Sequence, residues 1–94
     1  MKTINTEKVE FIRNSAVLLS DGEIIEGRNH QEIGIRIAED DLLFDKAIGA
    51  KEGFVTDTGR FVSREEAAEI ALRAGQLSQR KRNLLSEDIH SNNY

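Results

Sequence analysis

The sequence contains no cysteine, no proline and no tryptophan. Without cysteine there can be no disulfide, no thiolate nucleophile and no cysteine-ligated zinc. Without proline, turn formation falls to the seven glycines and to Asn and Asp. Histidine is scarce as well. His30 and His90 stand sixty positions apart with no ligand-spaced partner, so no standard zinc motif exists. There is no phosphate-binding P-loop, no dinucleotide fingerprint and no G-x-S-x-G nucleophile context around any serine. Carboxylates are plentiful, but no pair stands out as acid and base. No apolar run approaches the ~20 residues that span a bilayer, and the start, MKTINTEKVEF, lacks the apolar core of a signal peptide. These absences weigh against an enzyme and against any bound cofactor. They point to a soluble, cytoplasmic chain.

What is present is one small domain. Ninety-four residues bury roughly two-thirds of their surface, which leaves a modest core. A single domain over 1–94 is expected, with 1–8 and 90–94 flexible. Self-association would be an easy route to bury more apolar surface. Thirteen basic and seventeen acidic residues give a net charge of −4, which argues against binding long nucleic acid. A local basic pocket remains open.

The order of local signals predicts an α+β fold: a small antiparallel sheet, two main helices and a helical or extended C-terminal tail. The β pattern starts at Val9 and Phe11 and continues through Ala16–Leu19. Asp21-Gly22 is a hairpin signal, and Glu23–Glu26 returns as the partner strand. Asn29, with Glu32 three residues on, caps a helix over His30–Glu39. Ile33 and Ile37 share its apolar face. Gly34 weakens it, which suggests a close backbone contact there. Leu42-Leu43-Phe44 reads either as a further helical turn or as a loop with three buried anchors. The stretch Glu52–Gln76 is the most self-consistent. Phe54-Val55 and Phe61-Val62 flank an Asp57-Thr58-Gly59 turn. Ser63 and Glu66 form an S-x-x-E cap. Ala67, Ile70, Ala71 and Ala74 make a thin apolar stripe, suited to a sheet or a second protomer. Gly75 ends the helix, and Leu84, Leu85 and Ile89 are tail anchors.

Anion binding is the chemistry these residues favour. Arg28 precedes a helix start, where free N–H groups and a guanidinium together suit a phosphate. The plainer alternative is a surface pair with Glu26 or Glu32. Arg60 and Arg64 repeat the theme at the second helix, again with carboxylates nearby. Arg80-Lys81-Arg82 is a basic cluster, and Phe54 is either a stacking plate or a core residue. An aromatic plate with several arginines is what a nucleotide requires.

The run from Asp21 to His30, the long motif Gly53–Gln76 and the closing Leu84–Asp88 together resemble the phage Thoeris anti-defence sponges of the first described type. The resemblance spans about Ala16 to Asp88. It implies sequestration without chemistry: an intact cyclised ADP-ribose signal, or in some members a cyclic oligonucleotide, is held between two protomers of a dimer or a trimer of dimers. It implies that Phe54 stacks on adenine, that Arg80 pairs with phosphate, and that Arg28 serves a phosphate of a cyclic oligonucleotide. Ser63 stands where the family pattern has Asn, so its shorter side chain weakens a hydrogen bond from that position. Arg64 completes the candidate set, as ligand contact or as brace. Ile89-His90 after S-E-D departs from the aromatic expected there. Two other readings stand beside this one: a module that inhibits a host protein through its alanine-lined helix, and a nucleic-acid accessory protein using Arg80-Lys81-Arg82.

Overall fold

Two β-hairpins, each running directly into a capped helix, make up most of the chain. The computed structural model describes residues 9–90, so the expectations for 1–8 and 91–94 lie outside the described residues. The first unit is β1 (Ile12–Leu18), β2 (Ile24–Gly27) and α1 (His30–Ala38). A short α2 (Asp41–Lys46) leads to the second unit, β3 (Lys51–Thr56), β4 (Phe61–Ser63) and α3 (Arg64–Arg73), and α4 (Ser86–His90) closes the described chain. All strand pairs are antiparallel, in the order β2-β1-β3-β4. The α+β expectation holds.

Turn chemistry explains the hairpins. Gly22 and Gly59 take φ of +94° and +89°, backbone that other L-residues adopt only under strain. Asp21 Oδ1 accepts the Glu23 N–H at 2.9 Å and tightens the first turn. The caps explain the helices. Asn29 Oδ1 accepts the Glu32 N–H at 2.7 Å, and Ser63 Oγ accepts the Glu66 N–H at 3.1 Å. Each satisfies one orphan donor.

Directly paired residues share a sheet face. Phe54 pairs with both Ser15 and Val62, and Val17 pairs with Ile25. These residues therefore occupy one face, and both main helices cover it. α1 sets Ile33 and Ile37 on Val17, Leu19 and Ile25. α3 sets Ala67, Ala68, Ile70 and Ala71 on Ile12, Phe54 and Val62, with Leu84 from the tail. Each large aliphatic or aromatic side chain buried here contributes about 1.5–3 kcal/mol. The alanine stripe thus packs on the protein's own sheet, and Ala67 and Ala71 have no exposed surface. A second protomer cannot reach them.

Three more expectations change. A Cβ on Gly34 would meet nothing within 4 Å, so no close contact explains that glycine. The tight approach is at Gly53, where a Cβ would lie 2.2 Å from the Val62 carbonyl oxygen and 2.6 Å from Phe61 Cζ. α2 is helical, but its apolar residues are not buried anchors: Leu42 is 72% and Phe44 59% exposed. Only Leu43 packs inward. In the tail Leu84 is buried and Ile89 packs on the core, whereas Leu85 is exposed. His90 closes α4 as a helical residue.

Candidate functional site

The first residues of α1 and α3 meet beneath the sheet centre. His30 opens α1, and its ring stands edge-on to Phe54 with centroids 5.2 Å apart. Nε2 of His30 faces the carbonyls of Gly53 at 2.8 Å and Ala16 at 3.3 Å. Carbonyls only accept, so Nε2 carries the hydrogen and Nδ1 is the acceptor. Ser86 Oγ donates to Nδ1 at 2.9 Å and accepts the His30 backbone N–H at 3.2 Å. Ser15, fully buried, completes the chain at 2.6 Å from Ser86 Oγ. Arg64 opens α3. Its guanidinium reaches Glu52 at 2.5 Å, the Leu84 carbonyl at 3.1 Å and His30 Nδ1 at 3.4 Å. The hub fastens the tail to both helix starts.

The five predicted residues separate. Phe54 is a correction: it has no exposed surface, and its ring lies between His30 and the α3 core. A ring enclosed in this way cannot stack on a base unless the core opens. Ser63 is exposed, but its hydroxyl is engaged as the α3 cap. Arg64 is a brace in the hub, bonded to the tail carbonyl and to Glu52 rather than to Glu65 or Glu66. Arg28 has its side chain 57% exposed and meets Glu32 only at 3.9 Å. Glu26 is not its partner, since Arg13 and Asn14 hold that carboxylate. The α1 start is also less free than expected: Ser86 and Asn29 take the N–H groups of His30 and Glu32.

Arg80 follows α3 and is exposed, whereas Phe54 is enclosed in the core. The Arg80 guanidinium pairs with Glu69 of α3. Arg80, Lys81 and Arg82 face Glu65 and Glu69 over an open groove of about 440 Å³. Lys81 is held at 2.8 Å by Asp88 of α4. A phosphate entering this groove meets three cations, but it must displace Glu69 from Arg80.

Arg60 does not reach either place. It forks onto Glu10 at 2.8 Å and Glu66 at 3.0 Å. That guanidinium, with the hydroxyls of Thr56 and Thr58, holds the Glu10 carboxyl down at about 2. Arg60 is pushed up in return by the same two carboxylates. Gln76, just past α3, bonds both backbone groups of Ile12, at 2.8 and 2.9 Å. Both are structural straps.

The hub was not readable in advance. His30 and Ser86 sit in motifs quoted above, yet nothing in their local sequence says that they touch across 56 positions. Among the described residues no group of His, Asp and Glu is arranged to hold a metal ion. No helix among the described residues is long and apolar enough to cross a membrane.

This architecture defines a small two-layer α+β protein with a braced polar hub and a separate cationic loop. Residues 11–90 match the family model described as phage T4 y16D protein. The chain belongs to that family of small phage proteins. No curated protein and no solved structure matches it.

Proposed function

We propose that this phage protein sequesters a cyclised ADP-ribose-type immune signal in the host cytoplasm and releases it unaltered. The observation that carries this reading is the loop Arg80-Lys81-Arg82 facing a groove of about 440 Å³, a volume within the range of roughly 300–1,000 Å³ usual for small-molecule sites. Charge-assisted bonds from such cations contribute about 1.5–3 kcal/mol each. The groove is shallow and broadly open to solvent, so a second protomer would be needed to enclose the nucleotide. A chain of net charge −4 attracts an anion only where its cations are gathered; here Arg80, Lys81 and Arg82 stand together, set against Glu65 and Glu69. Arg28, exposed and weakly paired, is the second candidate phosphate contact.

The test mixes the protein with cyclised ADP-ribose, removes free nucleotide, denatures the protein by heat and identifies what is released by mass spectrometry. Intact nucleotide is expected. Recovery of a cleaved product would replace sequestration with catalysis, and no recovered nucleotide would remove the reading. Native mass measurement with and without nucleotide gives the stoichiometry.

A further inference from the structure

We infer that the outer surface of α2, with Ile48 just beyond it, docks an apolar patch bordered by lysine or arginine side chains on a partner protein. At 100° per residue, Leu43 and Ala47 point inward and join the α1 core. Phe44 and Ile48 then stand one turn apart on one flank, Leu42 on the other, and Asp41 and Asp45 on the crest between them. The exposures agree: Leu42 is 72%, Phe44 59% and Ile48 73% accessible. Nothing in the core requires these side chains to be large or apolar. Together the two strips expose on the order of 350 Å² of apolar surface, divided by the crest of Asp41 and Asp45.

The rim selects the occupant. Asp41 and Asp45 stand between the apolar strips and Glu39 and Asp40 precede them, all exposed. Lys46, the cation of the helix, is already held by Asp21 at 3.1 Å and Glu23 at 3.5 Å. An anionic bilayer and a nucleic acid are both repelled by such a rim. A second copy would bring the same carboxylates against each other across a two-fold axis. A cationic protein surface with an apolar centre is complementary in both respects, and opposite charge also speeds its arrival. The docking surface lies on the α2 side, distinct from the Arg80 groove, and does not depend on nucleotide binding.

The probe is a labelled helical peptide of leucine and lysine, with leucine–glutamine and leucine–glutamate peptides as controls, followed by fluorescence anisotropy on the full chain. The leucine–lysine peptide should bind, several-fold more weakly in 300 mM than in 50 mM salt. Phe44→Ser with Ile48→Ser should weaken it at least tenfold, Asp41→Asn with Asp45→Asn several-fold, and Glu87→Gln on α4 should have no effect. These sites are exposed, so circular dichroism should show the fold unchanged. Equal binding of all three peptides, or insensitivity to the Phe44 and Ile48 changes, would overturn the proposal. So would concentration-dependent dimerisation that the same two changes abolish, because the occupant would then be a second copy.

Discussion

Ser86 Oγ lies 2.9 Å from Nδ1 of His30 and 3.2 Å from its backbone nitrogen. One hydroxyl therefore serves both the ring and the helix start of a residue far earlier in the chain. Removing it leaves the helix N–H without a partner and the ring acceptor with only the longer Arg64 contact at 3.4 Å, in a half-buried place.

Ser86→Ala should accordingly cost about 1–3 kcal/mol, the usual penalty for stranded polar groups. Hydrogen exchange locates the effect. Amides of α4 and of the first turn of α1 should lose protection, while those of the β1–β3 ladder keep theirs. Uniform loss of protection across the sheet would contradict a hub that acts on the tail.

Two glycines should respond oppositely to the same change. At Gly53 a Cβ would lie 2.2 Å from a backbone oxygen that cannot move aside, so Gly53→Ala should cost about 3 kcal/mol or more. At Gly34 a Cβ meets nothing within 4 Å, inside a helix. Gly34→Ala should stabilise by about 0.5–1 kcal/mol. Thermal melts check both, because 1 kcal/mol moves the midpoint by about 4–8 °C in a domain of this size.

The strap between Glu10 and Arg60 should make stability depend on acid. Glu10 is held down to about 2 from an ordinary value of 4.5, first by the Arg60 guanidinium. A carboxyl lowered in the folded state stabilises above its unfolded value. That contribution fades as pH falls from about 4.5 towards 2. Denaturant midpoints of the native chain should therefore drop more steeply over this window than those of Glu10→Gln. Parallel curves would show that the pair is not thermodynamically coupled.

If the groove beside Arg80 holds phosphate, Glu69 competes for the same guanidinium. Glu69→Gln should tighten nucleotide binding several-fold, and Arg80→Ala should weaken it about tenfold, measured by calorimetry. The pair is exposed, so neither change should move stability by more than about 1 kcal/mol. Arg64→Ala should behave differently and destabilise the tail whether or not nucleotide is present, since Arg64 holds the Leu84 carbonyl. Equal nucleotide affinity in all three variants would remove the groove as the site.

Much of the fold was legible because its signals are local. Asn29 and Ser63 announce their helices, and Gly22 and Gly59 announce their turns, through chemistry contained in a few adjacent residues. What escaped was set by packing at a distance. Phe54 flanked by Gly53 reads as an exposed plate or, more often, as a buried ring, and only its pairing with Ser15 and Val62 beneath α3 decides. The alanine stripe reads equally as an interface or an interior. Arg64 has two glutamates beside it in sequence, yet it pairs with Glu52 on a neighbouring strand. Partners across strands are fixed by register, which no short window of sequence contains.

The order β2-β1-β3-β4 divides the sheet into two halves, each closed within fewer than thirty consecutive residues and each carrying its own helix. Within the sheet their seam is the ladder between β1 and β3. Half-formed molecules therefore expose a bare inner strand whose natural complement is the other half, in the same chain or in a neighbouring one. Refolding at high concentration should exchange halves between chains and yield interlocked dimers, and a break in the segment 47–50 should leave two pieces that recognise each other.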